Sequence, residues 1–166
     1  MLKEREPQAP TSTTGPPGRP EPVTLDSGGE PLYAMYQASV GEPPCGPRLG
    51  VMVLEQLGAH RMNVRLARAL VAAGYPVLSV DFRGRGESGG LSDPSGQRHL
   101  ISDEMVTDLR VAVAELRRRT AVERLVVFGS CQAGHVAARC AATEGIDGLI
   151  LAGVVNFDEQ IGRAHV

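Results

Sequence analysis

Short apolar runs separated by helical patterns constrain the fold of this chain more than any other feature of its sequence. Three of them are Leu49–Leu54, Pro76–Val80 and Leu125–Phe128, and none shows the polar alternation of a strand with one face in water. Apolar residues recur at helical spacing between these runs, so the predicted element order is β-β-β-α-β-α-β-α-β. Alternating β-α units predict an α/β fold, with a mostly parallel sheet and helices on both faces.

The two ends of the chain differ in composition from its centre. Residues 1–22 contain six of the 12 prolines and almost no large apolar side chains, so we expect a disordered Pro-rich leader. Residues 23–156 are predicted to form one incomplete α/β domain, followed by a tail over 157–166. Residues 161–166 match the translation of a common sequencing adapter, and we expect the natural gene to continue past about residue 160.

Composition and charge argue against several classes of partner. The net charge is −2 and aromatic residues make up only 4% of the chain, so we expect no nucleic-acid partner. No apolar run approaches the roughly 18 residues of a membrane helix, and no secretory signal begins the chain, so a cytoplasmic protein with no membrane partner is expected. The three cysteines, Cys45, Cys131 and Cys140, are odd in number and lack CxxC spacing, which argues against a disulfide framework and a zinc site.

One apolar run leads directly into a turn rich in small residues, 129–134, and then into a helix. A sharp strand–nucleophile–helix turn needs small residues two before and two after the nucleophile, because the chain nearly contacts itself there. With Cys131 as the nucleophile these neighbours are Gly129 and Ala133, which fit. With Ser130 they would be a phenylalanine and a glutamine, which are too bulky. The spacing therefore predicts Cys131 as the exposed residue.

The predicted position of Cys131 also suits its chemistry. Free N–H groups at a helix N-terminus favour a thiolate. The backbone N–H of Gln132 would supply one hydrogen bond to an oxyanion. The alternative is that Cys131 is a small buried residue that begins an ordinary β-α unit.

A second segment carries a resemblance to a known family. Residues 74–89 read Gly-Tyr-Pro-Val-Leu-Ser-Val-Asp-Phe-Arg-Gly-Arg-Gly-Glu-Ser-Gly, which resembles the α/β-hydrolase pattern Gly-Tyr-x-Val…Asp-x-Arg-Gly-x-Gly-x-Ser. Together with the cysteine turn, this segment makes residues 23–155 resemble α/β-hydrolases of the serine aminopeptidase, esterase and thioesterase type. With a cysteine as its nucleophile, the chain resembles branches of the family such as the dienelactone hydrolases. Residues 58–61, with the cysteine turn, also resemble hydrolases associated with the exosortase system.

The resemblance implies a strand order of 1-2-4-3-5-6, with strands 7 and 8 of the family missing. It also implies that a set of motif residues has structural roles around the turn and in the loop after the fourth strand, namely Gly129, Ala133, Gly134, Asp81, Arg83, Gly84, Gly86 and Ser88.

Residues 84–89 also satisfy the dinucleotide-binding pattern GxGxxG. A dinucleotide site would need a helix to begin there and an acidic residue about 20 positions further on. A Gly/Ser/Pro-rich stretch follows instead, so we expect a loop with a structural role. We expect no nucleotide, other cofactor or metal.

The remaining catalytic groups are implied by the family order of nucleophile, acid and histidine. The loop after the third strand supplies the second oxyanion N–H in the family, which here would come from Gln56 or Leu57. Asp158 matches an alternative position of the acid. We find no suitable general base, because His165 lies in the adapter-like tail and His135 lies one helical turn past the nucleophile.

These residues together predict a fragment of an acyl-transfer hydrolase that uses Cys131 on the ester, thioester or lactone carbonyl of a small molecule. Without a general base, we expect the chain as given to turn over poorly. The open apolar edge of the last strand, residues 149–152, is expected to promote aggregation. The alternative function is a non-catalytic hydrolase-like scaffold that binds a small ligand or a partner.

Overall fold

The computed structural model describes residues 17–41, 48–55, 60–90 and 102–153. Strands and helices follow one another in these ranges in the order that the apolar pattern predicts. The strands are β1 (Glu21–Ser27), β2 (Glu30–Gln37), β3 (Leu49–Glu55), β4 (Val77–Asp81), β5 (Arg124–Ser130) and β6 (Gly148–Ala152). The helices are α1 (His60–Ala72), α2 (Asp103–Arg119) and α3 (Gln132–Cys140).

The strands form one sheet in the order β1-β2-β4-β3-β5-β6. β1 pairs antiparallel with β2, and β2 pairs antiparallel with β4. β3 runs parallel to both β4 and β5, and β6 runs parallel to β5. The predicted α/β class and the predicted strand order are therefore confirmed.

Two apolar clusters cover the two faces of the sheet. The larger cluster includes Leu109 and Leu116 of α2 and Val136 of α3, all with no exposed surface. The smaller cluster packs Ala67 and Val71 of α1 against the other face. Burial of one such leucine contributes about 1.5–3 kcal/mol, so these faces fix the helices on the sheet. No helix in the described ranges is long and apolar enough to span a bilayer.

The domain begins before the boundary predicted at residue 23. β1 starts at Glu21, and Pro22 pairs with Met35 of β2. Proline is tolerated there because β1 is an edge strand, where one row of N–H groups has no ladder partner. The Glu21 carboxylate accepts a hydrogen bond from Arg119 at 2.8 Å, which ties this strand to α2. The leader predicted over 1–22 is thus corrected at its end, and residues 1–16 lie outside the described residues.

β6 lies at one end of the described sheet and pairs there with β5. Its Ile150 is 54% exposed and its Leu151 is 43% exposed, whereas Val53 of the central strand β3 is fully buried. An exposed apolar edge of this kind favours association between chains. The aggregation expected from the sequence stays a prediction.

Candidate active site

The carboxyl ends of β3, β4 and β5 lie at one edge of the sheet, because these strands are parallel. β3 lies between β4 and β5, so the strand order reverses at this point. Open α/β sheets bind ligands in the crevice at such a reversal. Two described segments border it: the turn after β5 and the loop after β4. The loop after β3, with the predicted oxyanion donors Gln56 and Leu57, lies outside the described residues.

Cys131 forms the turn between β5 and α3. Its φ is 50° and its ψ is −125°, and no other non-glycine residue in the described ranges has a positive φ. Such a conformation costs roughly 1–3 kcal/mol and persists only where its surroundings enforce it. Here the Cys131 N–H donates to the Ala152 carbonyl at 3.0 Å, and the Cys131 carbonyl accepts from the Gly134 N–H at 3.1 Å. The thiol is exposed, so Cys131 is not the buried residue of the alternative interpretation.

The neighbours of Cys131 show why small residues are needed at this turn. A Cβ added to Gly129 would lie 2.8 Å from both the Cα and the N of Gly134. Backbone atoms cannot move aside as a flexible side chain can, so residue 129 must be glycine. Ala133 is 1% exposed and packs into the larger core cluster. Ser130 is the last residue of β5 and is half-buried, one position before the turn.

Gln132 begins α3 and is only 4% exposed. Its side-chain Nε2 donates to the Met105 sulfur at 3.7 Å, and its Oε1 accepts a hydrogen bond from Arg85 Nη2 at 3.2 Å. The N–H groups of a first helical turn are not used by the helix's own i→i−4 bonds. Gln132 is therefore in the position expected for an oxyanion donor, and that role stays a prediction.

Most residues of the family motif have a hydrogen-bonding or steric role in the loop after β4. Ser88 Oγ donates to the Asp81 carbonyl at 2.7 Å and accepts from a backbone N–H of β2 at 2.7 Å. The Gly84 N–H donates to the Gly89 carbonyl at 2.7 Å. A Cβ on Gly86, whose φ is 51°, would collide with the Asp81 carboxylate. Residues 83–90 form turns and bends with no helix, so the GxGxxG pattern does not begin the helix of a dinucleotide site.

A buried ion pair anchors the same loop to α2. Arg83 Nη2 lies 2.6 Å from Asp108 Oδ1, and the Asp108 side chain has no exposed surface. Asp108 also accepts from Ser27 Oγ at 2.7 Å and from the Arg83 backbone N–H at 3.2 Å. The hydrogen bond to Asp108 raises the pKa of Arg83 above its ordinary value. Arg83 and Asp108 therefore connect the loop, α2 and the end of β1 through hydrogen bonds.

The other acidic and imidazole side chains that follow Cys131 lie at the opposite edge of the sheet, within α3 or outside the described ranges. Asp147 is at the opposite edge of the sheet, where its Oδ2 accepts from the Leu125 N–H at 2.8 Å. His135 is half-buried within α3. Asp158, the predicted acid, lies outside the described residues. Sequence reasoning missed Arg85, whose position between two glycines in the loop after a buried strand was the available signal.

The sequence model of a family described as serine aminopeptidase, S33, matches residues 49–160, which is more than half of the chain. The chain belongs to this family of α/β-hydrolases. No curated protein sequence matches it.

Solved structures show the same fold in other members of the α/β-hydrolase class. An α/β serine hydrolase without a lid from Xanthomonas campestris has a TM-score of 0.67 at 23% identity, over 93% of this chain and 68% of that one. An α/β serine hydrolase homologue from Coxiella burnetii has a TM-score of 0.67 at 18% identity, over 84% and 65%. An esterase from Exiguobacterium antarcticum has a TM-score of 0.61 at 21% identity, over 81% and 46%. The S33-family chain thus spans 46–68% of the length of these proteins.

Proposed function

We propose that the whole protein is an acyl-transfer hydrolase in which Cys131 attacks an ester, thioester or lactone carbonyl. The observation that carries this proposal is the backbone of Cys131, whose positive φ leaves an exposed thiol between β5 and α3. Membership of a hydrolase family supports it. The similar structures include an esterase and a thioesterase domain from the curacin biosynthetic pathway.

The proposed reaction begins when the Cys131 thiolate forms a bond to the carbonyl carbon. The negative charge moves to the carbonyl oxygen, which accepts a hydrogen bond from the Gln132 N–H and a second from the N–H of Gln56 or Leu57. The intermediate then collapses, the bond to the leaving alkoxide or thiolate breaks, and the leaving group takes a proton. An acyl-thioester on Cys131 remains, which water hydrolyses.

Hydrolysis of the acyl-thioester requires a general base. We assign the acid and the base of the whole protein to residues that follow β6, in the family order, with Asp158 as the candidate acid. An enzyme that lacks a triad member keeps roughly 10³–10⁴-fold acceleration over water. We therefore expect this chain to become acylated once and to turn over poorly.

Acylation by a small activated ester tests the proposal. The chain is incubated with p-nitrophenyl acetate, and the intact mass and the released p-nitrophenolate are followed together. We expect one acetyl group per chain on Cys131 in the wild type and in Ser130→Ala, and none at this position in Cys131→Ala. Cys140, which is buried, serves as the internal comparison.

The unfolded chain supplies the second control. The same cysteine in urea reports the reactivity of an ordinary thiol, so acylation of the folded chain must be faster at equal thiolate fraction. Equal rates in the folded and unfolded chains would favour the non-catalytic scaffold. Loss of acylation in Ser130→Ala, but not in Cys131→Ala, would identify Ser130 as the nucleophile.

A further inference from the structure

Arg85 places a cationic group against the side chain of the residue that follows the candidate nucleophile. It lies in the loop after β4, and within the described part of the chain its guanidinium has one hydrogen-bond partner, the side-chain oxygen of Gln132 at 3.2 Å. Gln132 directly follows Cys131 and is almost fully buried. The guanidinium is therefore held at the side chain of the first residue of α3, next in sequence to Cys131.

The charge of Arg85 is not neutralised by the described residues, none of which brings a carboxylate within ion-pair distance of it. Arg83 in the same loop differs, because its charge is paired with the buried Asp108. The carboxylate of Asp81, at the end of β4, forms no ion pair with Arg85 and accepts a hydrogen bond from the Glu87 N–H at 3.4 Å. The two arginines thus differ: Arg83 holds the loop, while the partner of Arg85 among the described residues is a neutral amide.

We propose that Arg85 is a specificity-determining residue that selects acyl substrates carrying a carboxylate near the reacting carbonyl. This inference rests on the proposed function of Cys131. A guanidinium presents a planar set of N–H donors that matches a carboxylate, and a charged partner binds it more strongly than an amide oxygen does. Arg85 is partly buried, so its attraction for an anion exceeds that in bulk water. The N-terminus of α3 adds a field of the same sign.

Two alkylating reagents of nearly equal size can measure this selectivity without turnover. Iodoacetamide and iodoacetate react with Cys131 by the same step, in which the thiolate sulfur bonds to the CH₂ carbon and iodide leaves. Only iodoacetate carries a carboxylate beside that carbon. Both rates are proportional to the thiolate fraction, so the ratio of the iodoacetate rate to the iodoacetamide rate isolates the attraction for the anion.

The ratio is measured at Cys131 by peptide mass mapping, near neutral pH and at low ionic strength. We expect Arg85→Gln to lower it by about five- to twentyfold, the effect of removing one unit charge from a partly solvated site. Arg85→Lys keeps the charge and is expected to retain most of the ratio. Arg124→Gln makes the same change of charge at the exposed, opposite end of β5, and should leave the ratio unchanged. Added salt should lower the wild-type ratio towards that of Arg85→Gln.

Each possible result has a distinct meaning. Arg85→Gln would slow both reagents equally if Arg85 only positioned Gln132, and that result overturns the proposal. A wild-type ratio equal to that of the urea-unfolded chain overturns it as well. If esters fail to acylate Cys131 but the ratio still depends on Arg85, the anion site stands and the acyl chemistry falls. If esters acylate Cys131 and the ratio does not change in Arg85→Gln, the acyl chemistry is supported and the proposed selectivity is wrong.

Discussion

Replacement of Asp108 by asparagine tests whether the buried ion pair holds the loop after β4 in place. Asp108 has no exposed surface and accepts hydrogen bonds from the Ser27 hydroxyl at 2.7 Å and from Arg83 Nη2 at 2.6 Å and Nε at 3.0 Å. Asparagine keeps the shape of the side chain but has one acceptor oxygen and no charge. Arg83 would therefore lose its ion pair, and the loop would lose its anchor on α2.

Removal of one partner from a fully buried ion pair costs about 3–5 kcal/mol. Arg83 retains 21% of its side-chain exposure and can partly reach water, and asparagine keeps one acceptor. We therefore expect Asp108→Asn to lower the free energy of unfolding by about 2–3 kcal/mol, below the full buried-pair range. Urea unfolding followed by far-UV circular dichroism gives this difference, provided that the m-values agree.

The same helix offers a matched control. Asp103 also pairs with an arginine, Arg139 at 2.5 Å, but its side chain is 86% exposed. An exposed pair contributes about 0–1 kcal/mol, so Asp103→Asn should cost no more than that. The reasoning is refuted if the two variants lose the same stability, or if Asp108→Asn loses less than about 1 kcal/mol.

Three further predictions follow from the described contacts. Gly129→Ala should lower the stability by at least about 2 kcal/mol in thermal unfolding, because the new methyl group would press on the backbone of α3, and an unchanged melting temperature would contradict this. Iodoacetamide should label Cys131 at least about tenfold faster than Cys140, because Cys131 is exposed and burial raises the pKa of Cys140, and equal labelling in mass spectrometry would contradict it. The hydrogen bond from Arg118 lowers the pKa of Glu115. The ionised Glu115 therefore stabilises the folded state above the unfolded pKa of about 4.3, and this stabilisation is lost as the pH falls through the lower folded pKa. Glu115→Gln should therefore be less stable than the wild type at neutral pH, and the difference in urea midpoint should vanish in acid.

The parallel sheet could be predicted because its central strands are buried on both faces. Burial of this kind leaves β3, β4 and β5 with mostly apolar sequences instead of a polar alternation. β6 is equally apolar in sequence, although its Ile150 and Leu151 are exposed. The order of the strands came from the family resemblance, because the apolar runs alone do not indicate which of them are neighbours. The start of β1 was missed because Glu21 and Pro22 disfavour a strand locally, while pairing with β2 and the contact with Arg119 stabilise them there.

In the candidate site too, features set by neighbouring residues could be predicted from the sequence, whereas contacts between distant residues could not. The position of Cys131 in the turn followed from a steric rule within six consecutive residues, and Gly129 obeys that rule in the structure. The contact of Arg85 with Gln132 joins residues 47 positions apart, and the pair of Arg83 with Asp108 joins residues 25 positions apart. No local pattern encodes either contact, because each depends on how the loop after β4 packs against the helices.

The hydrogen bond from the Cys131 N–H to the Ala152 carbonyl has a consequence for the synthesis of the chain. Translation delivers β5 and α3 before β6, so the nascent chain at first lacks this bond. A strained backbone relaxes where its surroundings do not enforce it, and the positive-φ conformation of the turn is therefore expected to form only after β6 docks. The ribosome-bound precursor would then carry an ordinary cysteine, and the exposed geometry would arise as a late step of folding.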